Sequence, residues 1–224
     1  MLNIFLREIT TDKLGIEIGG PSDTGDIIYK NSICMDNVIF SNDTLWYKNN
    51  TDEYNYYDNK KGKVIINDAV NITNIKNEQY DFVFSSHSLE HIANPLRAIN
   101  EWLRIIKNKG HIIIIVPEKS LCFDHKREYS KFTTLLSQYE NNVGEDNLST
   151  LPEIIMNHDL SMDGAAGNLE SFTKRSLDNF NNRCLHHYVY NDELLKKICN
   201  YFNCEFIYNE TIGLNRWFIM KKNI

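Results

Sequence analysis

Apolar residues run almost without interruption through two stretches of the chain, YDFVFSS (Tyr80 to Ser86) and GHIIIIVP (Gly110 to Pro117). Short apolar runs rich in β-branched residues, one of them closed by a proline, predict strands buried on both faces, as at the centre of a parallel sheet. Between them, NPLRAINEWLRIIKNKG sets Leu96, Ile99, Leu103 and Ile106 at helical spacing, and Asn108-Lys-Gly110 supplies a stop. The three segments form a strand, helix, strand unit whose crossover is expected to be right-handed.

Upstream, KLGIEIGG reads as a first strand running into glycines, SICMDNVIF as a second and GKVIINDA as a third. The stretch from Ser41 to Lys63 is polar, tyrosine-rich and aperiodic, which predicts a loop or irregular helix over the sheet edge; Trp46 within it reads as core or edge packing, with stacking on a bound ligand as the alternative. From Glu118 to about Tyr190, short helical pieces (YSKFTTLLSQYE, LPEIIMNH, SFTKRSLDNF) alternate with turn-rich runs such as NNVGEDN and SMDGAAGN. This predicts a helical cap, about 118–190, inserted after the fifth strand. The chain then closes with a helix, NDELLKKICNYF, N-capped by Asn191, and an antiparallel pair, CEFIYNETI and NRWFIMKK. The expectation is one α/β domain over 1–224, a mostly parallel seven-stranded sheet with helices on both faces.

Composition narrows the function classes. With 224 residues, 42% of them hydrophobic, the chain is long enough for one sizeable core. A net charge of -6 offers no footprint for nucleic acid, and no apolar run reaches membrane-spanning length. The start, MLNIFLREIT, is charged too soon for a secretory signal. The five cysteines are scattered without a C-x-x-C pair, so neither a disulfide framework nor a structural zinc site is indicated. A cytoplasmic protein with no membrane or nucleic-acid partner is expected.

The glycine turn in GIEIGGP lacks the full G-x-G-x-x-G phosphate fingerprint, which argues against a dinucleotide. Taken together, Glu17, Gly19, Gly20, Pro21 and the run YDFVFSSHSLEHIANPLRAINEWLRIIKNKGHIIIIVPEK resemble the class I S-adenosylmethionine (SAM)-dependent methyltransferases, in the group with an L-E-H motif after the fourth strand. The likeness covers roughly residues 14 to 120. Further on, FDHKRE, GEDNLSTLPEII, HDLSMD and RSLDNFNNRCLHH resemble a glycan-associated subgroup. The resemblance implies a Rossmann-like class I fold with SAM as cofactor and S-adenosylhomocysteine (SAH) as product. It also implies cofactor contacts at Glu17, Gly19, Gly20 and Pro21, a ribose contact at Asp36 with Asp43 as the alternative, an adenine contact at Asp68-Ala69, and pocket lining by Ser86 and His87. The departure from G-x-G-x-G to G-G-P-S leaves the backbone contacts open.

Methyl transfer from a sulfonium is an in-line displacement, and a hydroxyl acceptor must lose a proton as it attacks, a task suited to histidine. His125, His158, His186 and His187 all lie in or near the expected cap. Neighbours in sequence do not face one another, so Asp124-His125 and His158-Asp159 are not dyads in themselves. Cross-segment pairs are expected instead, for example His158 with Asp124 or His125 with Asp159. These four are the catalytic candidates, while Arg127 and Arg183, with His186 and His187, are candidates for holding the substrate by fork-like hydrogen bonds. Glu90-His91 reads as capping and orienting the helix after the fourth strand. Imidazole with carboxylate suits divalent ions, but no H-E-x-x-H spacing is present and no metal is favoured. The expected reaction is methylation of a hydroxyl on a sugar, nucleotide-sugar or glycan precursor. The alternatives are N-methylation of an amino sugar or other small amine, and an inactive binding subunit. A homodimer is the oligomer considered.

Overall fold

A computed structural model describes residues 1–44 and 52–224. Trp46 therefore lies outside the described residues. In chain order the elements are α1 (Leu2–Thr10), β1 (Leu14–Ile18), α2 (Asp26–Asn31), β2 (Cys34–Ile39), β3 (Glu53–Tyr57), β4 (Lys60–Ile66), β5 (Tyr80–Ser86), α3 (Pro95–Ile105) and β6 (Ile106–Pro117). They continue with α4 (Phe132–Glu140), α5 (Leu151–Asn157), α6 (Leu169–Leu177), α7 (Asn179–Asn182), α8 (Asp192–Tyr201), β7 (Glu205–Ile212) and β8 (Asn215–Lys221). One sheet has the order β3-β4-β2-β1-β5-β6-β8-β7. Neighbours from β4 to β6 are parallel, whereas β3 on β4 and β8 between β6 and β7 are antiparallel.

The isoleucine run of β6 shows why the sheet is covered on both sides. Ile112, Ile114 and Val116 join a core with Leu96, Ile99 and Trp102 of α3 and Leu195 and Ile198 of α8. Ile113 and Ile115, pointing the other way, pack with Leu2 and Leu6 of α1 and Ile28 of α2. Both helices flanking the first core are capped as their sequences dictate. Asn94 accepts from the Arg97 N–H at 3.2 Å ahead of Pro95, and Asn191 accepts from the Leu194 N–H at 2.8 Å.

Among the described residues the sheet has eight strands rather than the seven expected. The added strand, β3, falls in the tyrosine-rich stretch read as loop. Its period of two is carried by Tyr54 and Tyr56, both buried, alternating with exposed Glu53 and Asn55. Asp58, at φ +41°, lies in the tight turn that pairs Tyr57 with Lys60. Tyrosine supplies the apolar face here, so a pattern sought in aliphatic residues misses it.

Between β6 and α8 the chain forms four helices, α4 to α7. Leu135 of α4 belongs to the main core, while Leu151, Ile154, Ala166, Phe172 and Leu185 enclose a small core of their own around α5 and α6. Among the described residues no helix is long and apolar enough to cross a membrane, and all five cysteines are free thiols.

Candidate functional site

Strand β1 lies between β2 and β5, so the chain runs outward in opposite directions from it and leaves a crevice at the carboxyl ends of β1 and β5. The glycine turn sits there. Gly19 has φ +82°, a conformation that disfavours a side chain, and a Cβ on Gly20 would lie 2.1 Å from the Glu17 carboxyl carbon. Asn37 fixes the turn, accepting from the Gly20 N–H at 3.1 Å and donating to the Gly20 carbonyl at 2.8 Å. Pro21 follows through a cis peptide bond. Beyond it the hydroxyls of Ser22, Thr24 and Ser86 form a triangle with sides of 2.7, 2.8 and 3.0 Å.

Beneath this turn, Glu17 is fully buried. The Tyr29 hydroxyl lies 2.9 and 2.8 Å from its two oxygens, and the Tyr54 hydroxyl donates to one of them. Hydroxyls soften the loss of solvation without cancelling it, so burial raises the Glu17 carboxyl to about 7.

The remaining cofactor candidates are spread more widely. Asp36 lies within β2, not at its end, and accepts from the Tyr80 hydroxyl at 2.6 Å and the Lys63 N–H at 2.8 Å. Asp43 follows the end of that strand. Asp68 accepts from Arg183 at 3.1 Å, and the Ala69 carbonyl accepts from the Trp102 indole at 3.1 Å. Ser86 ends β5, and His87, held at φ +48°, places Nε2 2.7 Å from Asn215 Oδ1.

Of the two cross-segment pairings expected, His125 with Asp159 is present, at 2.9 Å, with Lys126 also 2.9 Å from Asp159. His158 instead meets Asp163 at 3.2 Å, its ring lying between Phe123 and Phe172 at centroid distances of 4.4 and 4.1 Å. Asp124 pairs with His186, whose Nδ1 is 2.6 Å from Oδ2, and with Arg127 at 2.9 Å. Burial opposes both charges, yet the His186 and Arg127 cations hold Asp124 below the usual carboxylate range, and Asp124 in turn raises His186 well above a free imidazole.

Arg127 is buried with its guanidinium occupied by Asp124, Glu153 and the carbonyls of His186 and His187. It ties the segment between β6 and α8 together rather than presenting a fork to a ligand. Arg183 bridges Asp68 and Glu145 at 3.1 and 3.2 Å and lies over the Phe40 ring at 5.0 Å, beside the ends of β2 and β4. His187 Nε2 contacts Asn179 and Glu145 at 3.2 and 3.3 Å, and burial lowers it to about 3, so it is neutral.

Glu90 and His91 do not cap α3; Asn94 does. They occupy a 3-10 turn, Leu89–His91, directly after β5, and bring the buried Glu90 carboxylate and the His91 ring toward His186, with ring centroids of the two histidines 4.4 Å apart. That convergence, like the Asp124–His186 pair, joins positions about a hundred or sixty residues apart, which spacing cannot reveal. Thr24, Tyr29 and Tyr54 carry no motif and surface only once the turn is folded, and Ser22 entered only as the last residue of the G-G-P-S turn.

Residues 40–114 match a protein family described as a methyltransferase domain, a span that contains β5, the Leu89–His91 turn and α3 and begins after the glycine turn. An S-adenosylmethionine-dependent methyltransferase assignment from Listeria monocytogenes superposes with a TM-score of 0.52 at 11% identity, covering 99% of this chain and 97% of that one. The chain has the methyltransferase fold. The PH0226 protein of Pyrococcus horikoshii OT3 shares it, with a TM-score of 0.54 at 10% identity over 98% of this chain and 86% of that one. No curated protein matches the chain in sequence. Against the seven strands expected of the methyltransferase fold, β3 is the edge addition.

Proposed function

We propose that the protein is a SAM-dependent methyltransferase acting on a hydroxyl of a sugar, nucleotide-sugar or glycan precursor. The observation that carries the cofactor is the Gly19-Gly20 turn laid over the buried Glu17 carboxylate at the β1/β5 crevice. Gly20, without a Cβ, lays the turn directly on the Glu17 carboxyl, and a carboxyl raised to about 7 by burial favours a ligand that brings a cation. The ammonium and sulfonium of SAM supply positive charge without a phosphate. Asp43, past the end of β2, suits the ribose better than Asp36, whose carboxylate is already held by Tyr80 and Lys63. Asp68 and Ala69 are left for the adenine, with Arg183 above them. The helices between β6 and α8 act as a cap over the acceptor, within a single domain.

His125, half-exposed and oriented by Asp159, is the general base. His158 is enclosed between two aromatic rings and is the less accessible partner. SAM, when bound, would supply an electrophilic methyl group and keep the carbon–sulfur electron pair on leaving as neutral SAH. His125, oriented by Asp159, would take the proton that the acceptor hydroxyl loses as its oxygen attacks. The sugar assignment rests on the resemblance of the FDHKRE, HDLSMD and RSLDNFNNRCLHH segments to glycan-associated methyltransferases.

Calorimetry with SAH tests the cofactor half. Wild type should bind, and Gly20→Ala, whose methyl meets the Glu17 carboxyl, should lose binding by about 100-fold or more, on the order of 3 kcal/mol. Absence of SAH binding by the wild type overturns the reading. Methyl transfer to a nucleotide-sugar panel tests the acceptor half: His125→Gln should slow turnover about 100-fold with SAH affinity unchanged. Turnover indifferent to that substitution would favour an amine acceptor, and SAH binding without turnover on any acceptor would favour a binding subunit.

A further inference from the structure

The histidine-rich cluster beside the β5 end contains more acid and imidazole than methyl transfer requires. Glu90, His91 and His186 each offer a ligand atom within 4.8 Å of the others. Among the described residues, neither oxygen of the Glu90 carboxylate has a hydrogen-bond partner, although Glu90 is only 1% exposed. Imidazoles face it: His87 Nδ1 stands 3.6 Å away, too far for a good hydrogen bond, and the ligand atoms of His91 and His186 lie within 4.8 Å, so the carboxylate is held by ring charge at a distance and not by a bonded donor. A buried carboxylate without hydrogen-bond donors is costly unless another positive charge takes their place. We infer that Glu90, His91 and His186 form a binding site for a divalent first-row transition ion of the zinc class.

Two imidazoles and one carboxylate are a donor set such ions accept, and three protein ligands leave coordination positions open. Donor atoms around an ion with bonds of about 2.0–2.1 Å stand about 3–4 Å apart, so the cluster needs only a small inward adjustment of its side chains. The residues around it fit the outer shell of a metal centre. His186 Nδ1 is taken by Asp124 at 2.6 Å, which leaves Nε2 as its ligand atom and fixes the ring through a carboxylate–histidine pair. Arg127 in turn holds Asp124 at 2.9 Å. A second group, Cys122, Asp124 and His186, also lies within metal-ligating distance. Its carboxylate is already neutralised by Arg127, so it supports the first group and does not compete with it. The site goes beyond the cofactor reading and does not depend on it. Its place, one turn after Ser86, puts the open positions next to the crevice, where an oxygen ligand such as a sugar hydroxyl would complete the coordination.

The experiment is metal binding by the purified full chain, stripped with a chelator and free of SAM. Zinc titration by calorimetry and cobalt titration by visible absorption should each show one saturable site per chain, with ligand-field bands marking nitrogen and oxygen donors. Glu90→Gln, nearly isosteric, should weaken binding by 100-fold or more and perturb the cobalt spectrum. Asp124→Asn, acting through the His186 ring, should weaken it about 10–100-fold. His111→Gln, at the start of the inner part of β6 and away from the cluster, should leave it unchanged. Thermal melts identify any variant that fails to fold, and the wild-type titrations stand without the variants. No saturable uptake by wild type, or uptake unaltered in Glu90→Gln, overturns the site. A failure of SAH binding would leave this result untouched.

Discussion

Glu17 and Asp124 are both buried carboxylates, at 0% and 3% exposure, yet near neutral pH Glu17 is partly protonated while Asp124 is ionised. Glu17 meets two tyrosine hydroxyls and is raised by burial to about 7; Asp124 meets His186 and Arg127 and is held below the usual carboxylate range. Depth of burial is nearly the same, so the neighbours decide the outcome. The difference separates two kinds of construction. Around Asp124 the charges of the segment between β6 and α8 are balanced within the protein and fasten it to itself. Around Glu17 the balance is left incomplete beneath a glycine turn, where a cationic ligand would finish it.

Removing the internal cation from the balanced region should have the largest effect. Arg127→Met leaves Asp124 buried with one partner fewer, and breaking a buried pair in this way costs about 3–5 kcal/mol. Urea unfolding of the variant checks this, and Arg127→Met with Asp124→Asn should recover part of the loss. A loss below about 1 kcal/mol would mean that Arg127 is not what stabilises the segment.

The incomplete region predicts the reverse, a gain on removing charge. Because the Glu17 carboxyl is raised in the folded chain from 4.5 to about 7, the folded state holds its proton over a range where the unfolded state has lost it. Stability therefore falls as pH rises between those values, and the penalty is complete above about pH 7, at up to about 3 kcal/mol. Glu17→Gln should be more stable than wild type at pH 8 by as much as that and no more stable at pH 4. Denaturant melts at the two pH values decide it; a variant that is less stable at pH 8 contradicts the assignment.

How much of this could be read from the chain depends on the distance over which each signal acts. The β5, α3, β6 unit, the Asn191 cap and the closing antiparallel pair were legible because aliphatic periodicity and capping are local. Strand β3 was not, since its apolar face is made by Tyr54 and Tyr56 within a polar run. The glycine turn was legible as Glu17, Gly19 and Gly20, and the His125–Asp159 pair as one of two options. The partners of Asp124 and Glu90 were not, because they come from segments that only the fold brings together. Asp36 had a suitable residue type at a suitable spacing, but the Tyr80 and Lys63 hydrogen bonds place it in the strand.

The smallest effect examines the tyrosines that hold Glu17. Tyr54→Phe removes the hydroxyl that donates to the carboxylate while keeping the ring that fills the core. Where Glu17 is ionised, the lost bond is to a charge and should cost about 1.5–3 kcal/mol; where it is protonated, the cost should be about 0.5–1.5 kcal/mol. The Tyr54→Phe penalty should therefore grow on going from pH 5 to pH 8, by about 1 kcal/mol. In a Glu17→Gln background, which has no proton to lose, the same substitution should cost the same at both. A penalty that does not change with pH in the wild-type background would mean that Glu17 keeps one charge state throughout, and the contrast with Asp124 would then lie in their partners alone.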